Sequence, residues 1–340
     1  MNRLAKLASF ACIALGVGAL APTSLHATES AQLLAQATPT VTLRFSHVLG
    51  PREPFHEGFL AWARAVEQRT NGGLKMEVFH SSSLGREEDI IEQLRQGANL
   101  GQNTDAARLG NYVPQIAVVN GPYFAATAAD IERAARTPSL QRWQAELADR
   151  HGLKVVCFNW VQGARHFFTN KPIRRPEDLR GLRVRTPPAP IWQESVRALG
   201  AAPVAMAFSE MYPALQQRAI DGVELVYNNI PAGRFHEVLR YANESRHILL
   251  ANFQVVGTRF FNSLPPAYQT ALVEECERVG AATSQRIQEL EGEVKADLRR
   301  RGMTIVEDVD HAAFQEAGKR AYQALNLTEA KAAIDREMGR

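Results

Sequence analysis

The sequence has none of the short motifs that announce nucleotide, metal or covalent chemistry. There is no Gly-rich phosphate loop, because Gly16-Val17-Gly18 sits in an N-terminal leader, and no GxSxG, HExxH or CxxC occurs. Past residue 27 no window holds 18 apolar residues, so no later membrane-spanning helix is expected and the mature chain reads as soluble. Charge of one sign is also missing. There are 39 basic and 36 acidic residues, and two of the bases, Arg3 and Lys6, lie in the leader, which has no acid. The remaining near-neutral chain offers no electrostatic footprint for nucleic acid. Cysteine is scarce: three residues, of which Cys12 falls in the leader. The other two, Cys157 and Cys276, give no disulfide framework and read as buried thiols, one in a strand-like run and one on the apolar stripe of a helix.

What is present begins with an address. Residues 1–27 have the layout of a secretory signal peptide: Arg3 and Lys6, then an apolar run from Leu7 to Ala21, then Pro22 and Leu25-His26-Ala27 as the cleavage end. The run is too short for a bilayer, which needs about 20 residues. Ala35-Gln36-Ala37 is a competing cleavage site. Hydrophobic residues are 45% and charged residues 22%, a soluble globular balance, and 340 residues leave room for two domains.

Strand and helix signals alternate. Val41–Ser46 reads as a strand, His56–Arg69 as a helix ended by Asn71-Gly72-Gly73, and Leu74–Phe79 as a second strand, which together suggest a βαβ unit. Glu87–Gly97 reads as a helix, and Ile116–Val119 and Lys154–Phe158 as strands. The pattern then repeats with strands at Arg165–Thr169, Leu182–Arg185, Val223–Tyr227 and Ile248–Val256, and helices at Ala189–Leu199, Ser209–Gln217 and Arg234–Tyr241. Two successive α/β lobes follow from this alternation. From Ser263-Leu264-Pro265-Pro266 to Gly302 nothing breaks a helical pattern that keeps Leu272, Cys276, Val279, Ile287 and Leu298 on one face. A helix of that length, on the order of 55 Å, is longer than one small domain is wide and is expected to run along both lobes.

Chemistry-bearing residues are few. His47 and His56 flank a loop and offer ligands or bases, although ordinary buried or surface histidines are the simpler reading. Glu307-Asp308-Val309-Asp310-His311 lacks calcium or zinc spacing and reads as a solvated loop. Arg299-Arg300-Arg301 reads as cations complementing a helix C-terminus. Leu182-Arg183-Val184-Arg185-Thr186-Pro187 stands out. Alternation puts Arg183 and Arg185 on one face of a short strand, and an Arg at a strand end before Pro187 faces the crevice of an α/β lobe. A guanidinium there offers two parallel donors to a carboxylate, unless the pair merely decorates an edge strand.

From Val41 to about Tyr322 the chain resembles the solute-binding subunits of TRAP (tripartite ATP-independent periplasmic) transporters, of the dicarboxylate-binding type. The matching pieces, in order, are Ser46-His47, Thr70-Asn71-Gly72, Ser83-Leu84-Gly85-Arg86-Glu87, Asp178-Leu179-Arg180-Gly181-Leu182-Arg183-Val184-Arg185-Thr186-Pro187, Ala198-Leu199-Gly200-Ala201, Met206-Ala207-Phe208-Ser209-Glu210-Met211-Tyr212-Pro213 and Asp221-Gly222-Val223-Glu224. The resemblance implies a two-lobed α/β solute-binding protein with a ligand cleft between lobes and a long helix spanning both. The first lobe is then 38–162 plus 251–290, the second 163–250 plus 291–328, and 329–340 a C-terminal tail. It implies a periplasmic, monomeric protein without cofactor or metal, which closes on a small organic acid and docks on a membrane permease. By resemblance Arg185 is the carboxylate anchor, Arg165 in Gln162-Gly163-Ala164-Arg165 a second positive partner, and Phe208 an aromatic packing on the ligand. Asp105, and less directly Glu87, match first-lobe positions that reach the ligand. Where many members carry Asn after the Asp-Gly-x-Glu run, Leu225 stands here, followed by Tyr227, Asn228 and Asn229. That hints at a less polar ligand end, with Asn228 the candidate to supply the missing bond. Two other readings stay open: an exported hydrolase using Asp105 or Glu87 with a His, and the ligand-binding input of a sensor kinase.

Overall fold

A computed structural model describes residues 40–340, so the leader assigned to residues 1–27 lies outside the described residues. The β-branched alternation of β1 (Val41–Ser46) is parallel to β2 (Leu74–Phe79), and α1 (Pro54–Arg69) connects them as the βαβ spacing predicts. Pro54 opens α1, where a missing N–H leaves nothing unsatisfied. Phe55, Phe59, Trp62 and Val66 form its buried face. After α2 (Glu87–Arg95), β3 (Leu100–Asp105) joins the other side of β1, and α3 (Ala106–Leu109), α4 (Ala128–Ala135) and α5 (Pro138–His151) follow.

Two strands of 17 residues organise the rest: β4 (Leu153–Thr169) and, later in the chain, β8 (Tyr241–Gly257). Each is on the order of 55 Å long at 3.3 Å per residue. Between them come β5 (Arg183–Thr186), α6 (Pro190–Ala198), β6 (Ala202–Ala205), α7 (Met211–Gln216), β7 (Gly222–Val226) and α8 (Asn229–Ala232). The chain then runs through α9 (Thr258–Ser263), α10 (Pro266–Arg300), β9 (Thr304–Val306), α11 (His311–Ala324) and α12 (Thr328–Glu337). All strands share one sheet in the order β2-β1-β3-β8-β4-β7-β5-β6, with β9 added on β8. β3 pairs with Asn252–Val256 of β8, whereas β9 pairs with Tyr241–Asn243 and β7 with Arg165–Thr169 of β4. The sheet therefore has two halves joined only through β4 and β8, and a register shift falls between Val161, opposite Ala251, and Gly163, opposite Leu250. Gly163 has φ 116°, open to glycine and strained for other residues.

Several local expectations change in this frame. Ile116–Val119 is a turn of 3-10 helix within Pro114–Asn120, not a strand, because an apolar run of four residues does not distinguish the two. Lys154–Phe158 and Arg165–Thr169 are parts of the single strand β4. Arg234–Tyr241 is helical only at Phe235–Glu237, and β8 already begins at Tyr241. The segment 329–340 is no loose tail: α12 buries Ile334, and Glu337 accepts hydrogen bonds from the Ser139 backbone N–H (3.0 Å) and hydroxyl (2.7 Å).

The long helix is present as α10, Pro266–Arg300, on the order of 52 Å. Its first half packs in the core of β1, β2 and α1 through Leu272, Cys276 and Val279, and Leu298 near its end joins the core of β7 and α7. The approach is close. A Cβ at Gly280 would lie 2.4 Å from the Trp160 indole nitrogen, which donates to the Cys276 carbonyl at 3.1 Å. The two buried thiols are corrected here: Cys157 and Cys276 form a disulfide that ties β4 to α10. Burial was legible from the pattern, but a partner 119 residues away was not.

A cross-link closing so long a loop restricts the unfolded chain, typically by 2–4 kcal/mol. The Cys157→Ser, Cys276→Ser double variant is expected to lose about that much, read as a lower urea midpoint than the parent; equal midpoints would show that the bond adds nothing.

Candidate functional site

The sheet halves meet at a crevice outside strand ends, where an α/β fold exposes backbone and loop side chains to a ligand. A cavity of about 50 Å³ lies there. Its walls come from both halves: Val48 and Leu49 after β1, Glu87 at the start of α2, Asn103 and Asp105 on β3, and Arg108 on α3 face Arg185, Pro187, Trp192, Phe208 and Leu225. Gln162, Arg165, Leu250 and Asn252, on the shared strands, form its base.

Arg185 is 2% exposed. β5 lies inside the sheet between β7 and β6, so its alternating residues have no edge to decorate. Nε and Nη2 donate to one acceptor, the Met206 carbonyl, at 3.0 and 2.8 Å. Among the described residues no carboxylate lies in ion-pair range of it. Burial pushes Arg185 down to about 9, with the Glu224 charge opposing at longer range and the guanidiniums of Arg165 and Arg108 reinforcing, which still leaves it charged at neutral pH. Arg183, two residues earlier, is exposed and paired with Asp221 at 2.9 Å.

The other two guanidiniums are committed. Arg165 donates through Nε to the Glu224 carboxylate and through Nη2 to the Glu224 carbonyl, and stacks 4.3 Å from the Trp192 ring. Glu224 is fully buried and also accepts from the Thr186 hydroxyl at 2.8 Å. Burial works against its charge, but the Arg165 ion pair prevails and holds it at about 2. Arg108, which no sequence signal singled out, is paired with Asp105, with Glu88 at 2.9 Å and with Glu87 at 3.4 Å. Asp105 Oδ1 caps α3 through the Arg108 N–H at 2.9 Å and accepts from the Trp192 indole at 3.2 Å. Burial pushes the Glu87 carboxyl up to about 8 against the pull of Arg108.

Five of the six expected residues, Arg185, Arg165, Phe208, Asp105 and Glu87, thus line one cavity, which bears on position and not yet on role. Asn228 does not. β7 ends at Val226, and the turn that follows puts Asn228 in a neighbouring groove with Arg52 and Pro54, while Asn229 reaches the cavity. The Asn229 amide donates to both carboxylate oxygens of Glu53, at 3.1 and 3.0 Å. This contact, the Asp105–Trp192 bond and an Arg86–Glu210 ion pair at 2.8 Å all join residues of one half to residues of the other. Trp192, Gln162, Asn252 and Arg108 were missed because each sits in a stretch whose pattern is that of ordinary structure. His47 and His56 bond to each other at 3.0 Å outside the cavity, and Asp310 caps α11, so neither group supplies chemistry here.

Residues 45–328 match the family described as bacterial extracellular solute-binding protein, family 7. The chain belongs to this family. The C4-dicarboxylate-binding periplasmic protein DctP of Rhodobacter capsulatus is 30% identical over 70% of this chain and 71% of its own. The 2,3-diketo-L-gulonate-binding periplasmic protein YiaO of Escherichia coli is 26% identical over 86% and 88%. Among solved structures, a TRAP periplasmic solute-binding protein from Ochrobactrum anthropi with bound L-fuconate superposes with a TM-score of 0.84 at 28% identity, covering 88% of this chain and 99% of that one. The TRAP-type architecture and the two-lobed binding-protein fold expected from the sequence are therefore those of this chain.

Glu53 gives a pH test of this solute-binding protein's junction. It is 1% exposed, and burial pushes its carboxyl from the ordinary 4.5 up to about 8, with only the Asn229 hydrogen bond opposing. Between these values the unfolded chain releases a proton that the native protein keeps, so stability falls as pH rises through the window and levels off above it, with a slope of up to about 1.4 kcal/mol per pH unit for one group. Glu53→Gln is expected to remove that share of the slope in urea melts between about pH 5 and pH 8; a slope identical to the parent's would assign it elsewhere, Glu87 first.

Proposed function

We propose that the protein captures a small organic acid by its carboxylate, through Arg185, and delivers it to a TRAP-type membrane permease. The observation that carries this is a buried guanidinium with, among the described residues, no carboxylate in ion-pair range, at the seam of the two sheet halves. Its Met206 carbonyl acceptor holds the plane of the fork without neutralising it. A carboxylate bound there gains charge-assisted hydrogen bonds of about 1.5–3 kcal/mol each in a site from which water is excluded. Family membership and the acids named for its relatives support the same reading.

Closure follows from the architecture. In this reading the first lobe passes to the second at Gly163, opposite Leu250 on the two shared strands, where glycine's backbone freedom supports rotation. The walls from each side meet only in the closed form, so the ligand stabilises closure by bridging them. In this reading residues 1–27 are removed on export, and the protein works in the periplasm as a monomer without catalysis. Asp105 and Glu87 support it by serving as partners of Arg108; among the described residues no His lines the cavity beside them.

Arg185→Ala is expected to weaken binding of the cognate acid by more than about 2 kcal/mol, roughly 30-fold, because it strands the ligand carboxylate. Arg185→Lys is expected to bind poorly as well, since a point charge does not replace a planar fork. Calorimetry on folded variants checks both, and near-parental affinity in Arg185→Ala would remove the anchor role.

A further inference from the structure

The charges and hydrogen bonds around the cavity restrict what can enter it. Three guanidiniums line the site, but Arg165 is neutralised by Glu224 and Arg108 by Asp105 and Glu88. Among the described residues one lining guanidinium is left without an acidic partner, and a second ligand carboxylate would share the cavity with Asp105 and Glu87. Burying a charge without a partner is strongly unfavourable.

Hydroxyl groups find a reduced set of partners, because several polar side chains of the wall each spend one amide or carboxylate group on a neighbour. The Asn252 amide donates to Gln162 Oε1 at 3.1 Å, the Gln254 amide donates to Asn103 Oδ1 at 3.0 Å, and Asn229 donates to Glu53. Asp105 accepts from Trp192 and Arg108. The rest of the wall is apolar: Leu225, Leu250, Val48, Leu49, the Trp192 indole and Phe208. Leu225, 1% exposed on β7, is one residue beyond Glu224 and extends this apolar surface beside the anchor.

Resting on Arg185 as the anchor, we propose that this cavity selects a monocarboxylate with an apolar tail over dicarboxylates and polyhydroxylated sugar acids.

The test is a calorimetric panel on the exported protein, dialysed free of bound acid, against propionate, lactate, 2-hydroxybutyrate, pyruvate, succinate and L-fuconate, with Arg185→Ala run alongside. The expected result is at least one of the four monocarboxylates binding 100-fold or more tighter than succinate and L-fuconate, and losing that affinity in Arg185→Ala. Succinate or L-fuconate binding as tightly as the best monocarboxylate, with the affinity lost in Arg185→Ala, overturns the selectivity and leaves the anchor standing. Acids binding Arg185→Ala as well as the parent, or no acid binding the folded parent, overturns the anchor and the selectivity with it. Leu225→Asn supplies a second reading: L-fuconate affinity is expected to rise at least tenfold relative to the best monocarboxylate, and an unchanged ratio in a folded variant would contradict the role given to the apolar wall.

Discussion

A positive charge that the protein itself does not neutralise governs the layout of the site. Arg185 is buried on a strand inside the sheet, and among the described residues its acceptor is a single backbone carbonyl. Arg165, which lines the same cavity, has the opposite arrangement, with the Glu224 carboxylate and carbonyl both engaged. The contrast separates two tasks that an arginine pair can perform. Arg165, locked by Glu224 and stacked on Trp192, is part of the frame. Arg185 is what the frame holds ready, and its burial cost is recovered only when an anion arrives.

The frame itself is a consequence of topology. Because β4 and β8 run through both halves of the sheet, the cleft has a floor made of continuous hydrogen-bonded strands, and relative motion of the halves is confined to bending those strands and the long helix beside them. The Cys157–Cys276 bond and the Trp160 indole fasten the first part of α10 to β4, while Leu298, beyond Ile287, packs in the core of the other half. Polar contacts across the seam are Glu53–Asn229, Asp105–Trp192 and Arg86–Glu210, and Ile191, Trp192 and Ala198 of α6 also share a buried apolar cluster with Leu109, Ile116 and Val118 of the first half. The polar contacts can exchange with water when exposed, whereas the apolar ones favour staying packed.

Much of this was legible in the chain. The βαβ start, the long helix, the strand carrying Arg185 and the approach of Asp105, Glu87 and Phe208 to one cleft follow from periodicity, proline and glycine punctuation and an ordered set of family-like runs. The misreadings share a cause. Ile116–Val119 and Arg234–Tyr241 are short apolar or mixed runs whose state is set by the surface they pack on. Asn228 and Asn229 are adjacent, and a single turn residue decides which one faces the cavity.

The sequence by itself determined the class of fold, the opening βαβ unit and the presence of an arginine at a strand end, because these depend on local spacing and on side-chain type. Tertiary structure alone decided which arginine stays without an acid, that Cys157 meets Cys276, and that Arg108, Trp192 and the Gln162–Asn252 pair belong to the site. Each of those facts is a distance between residues far apart along the chain, and pairing energy falls off with distance in space, on which sequence separation has no bearing.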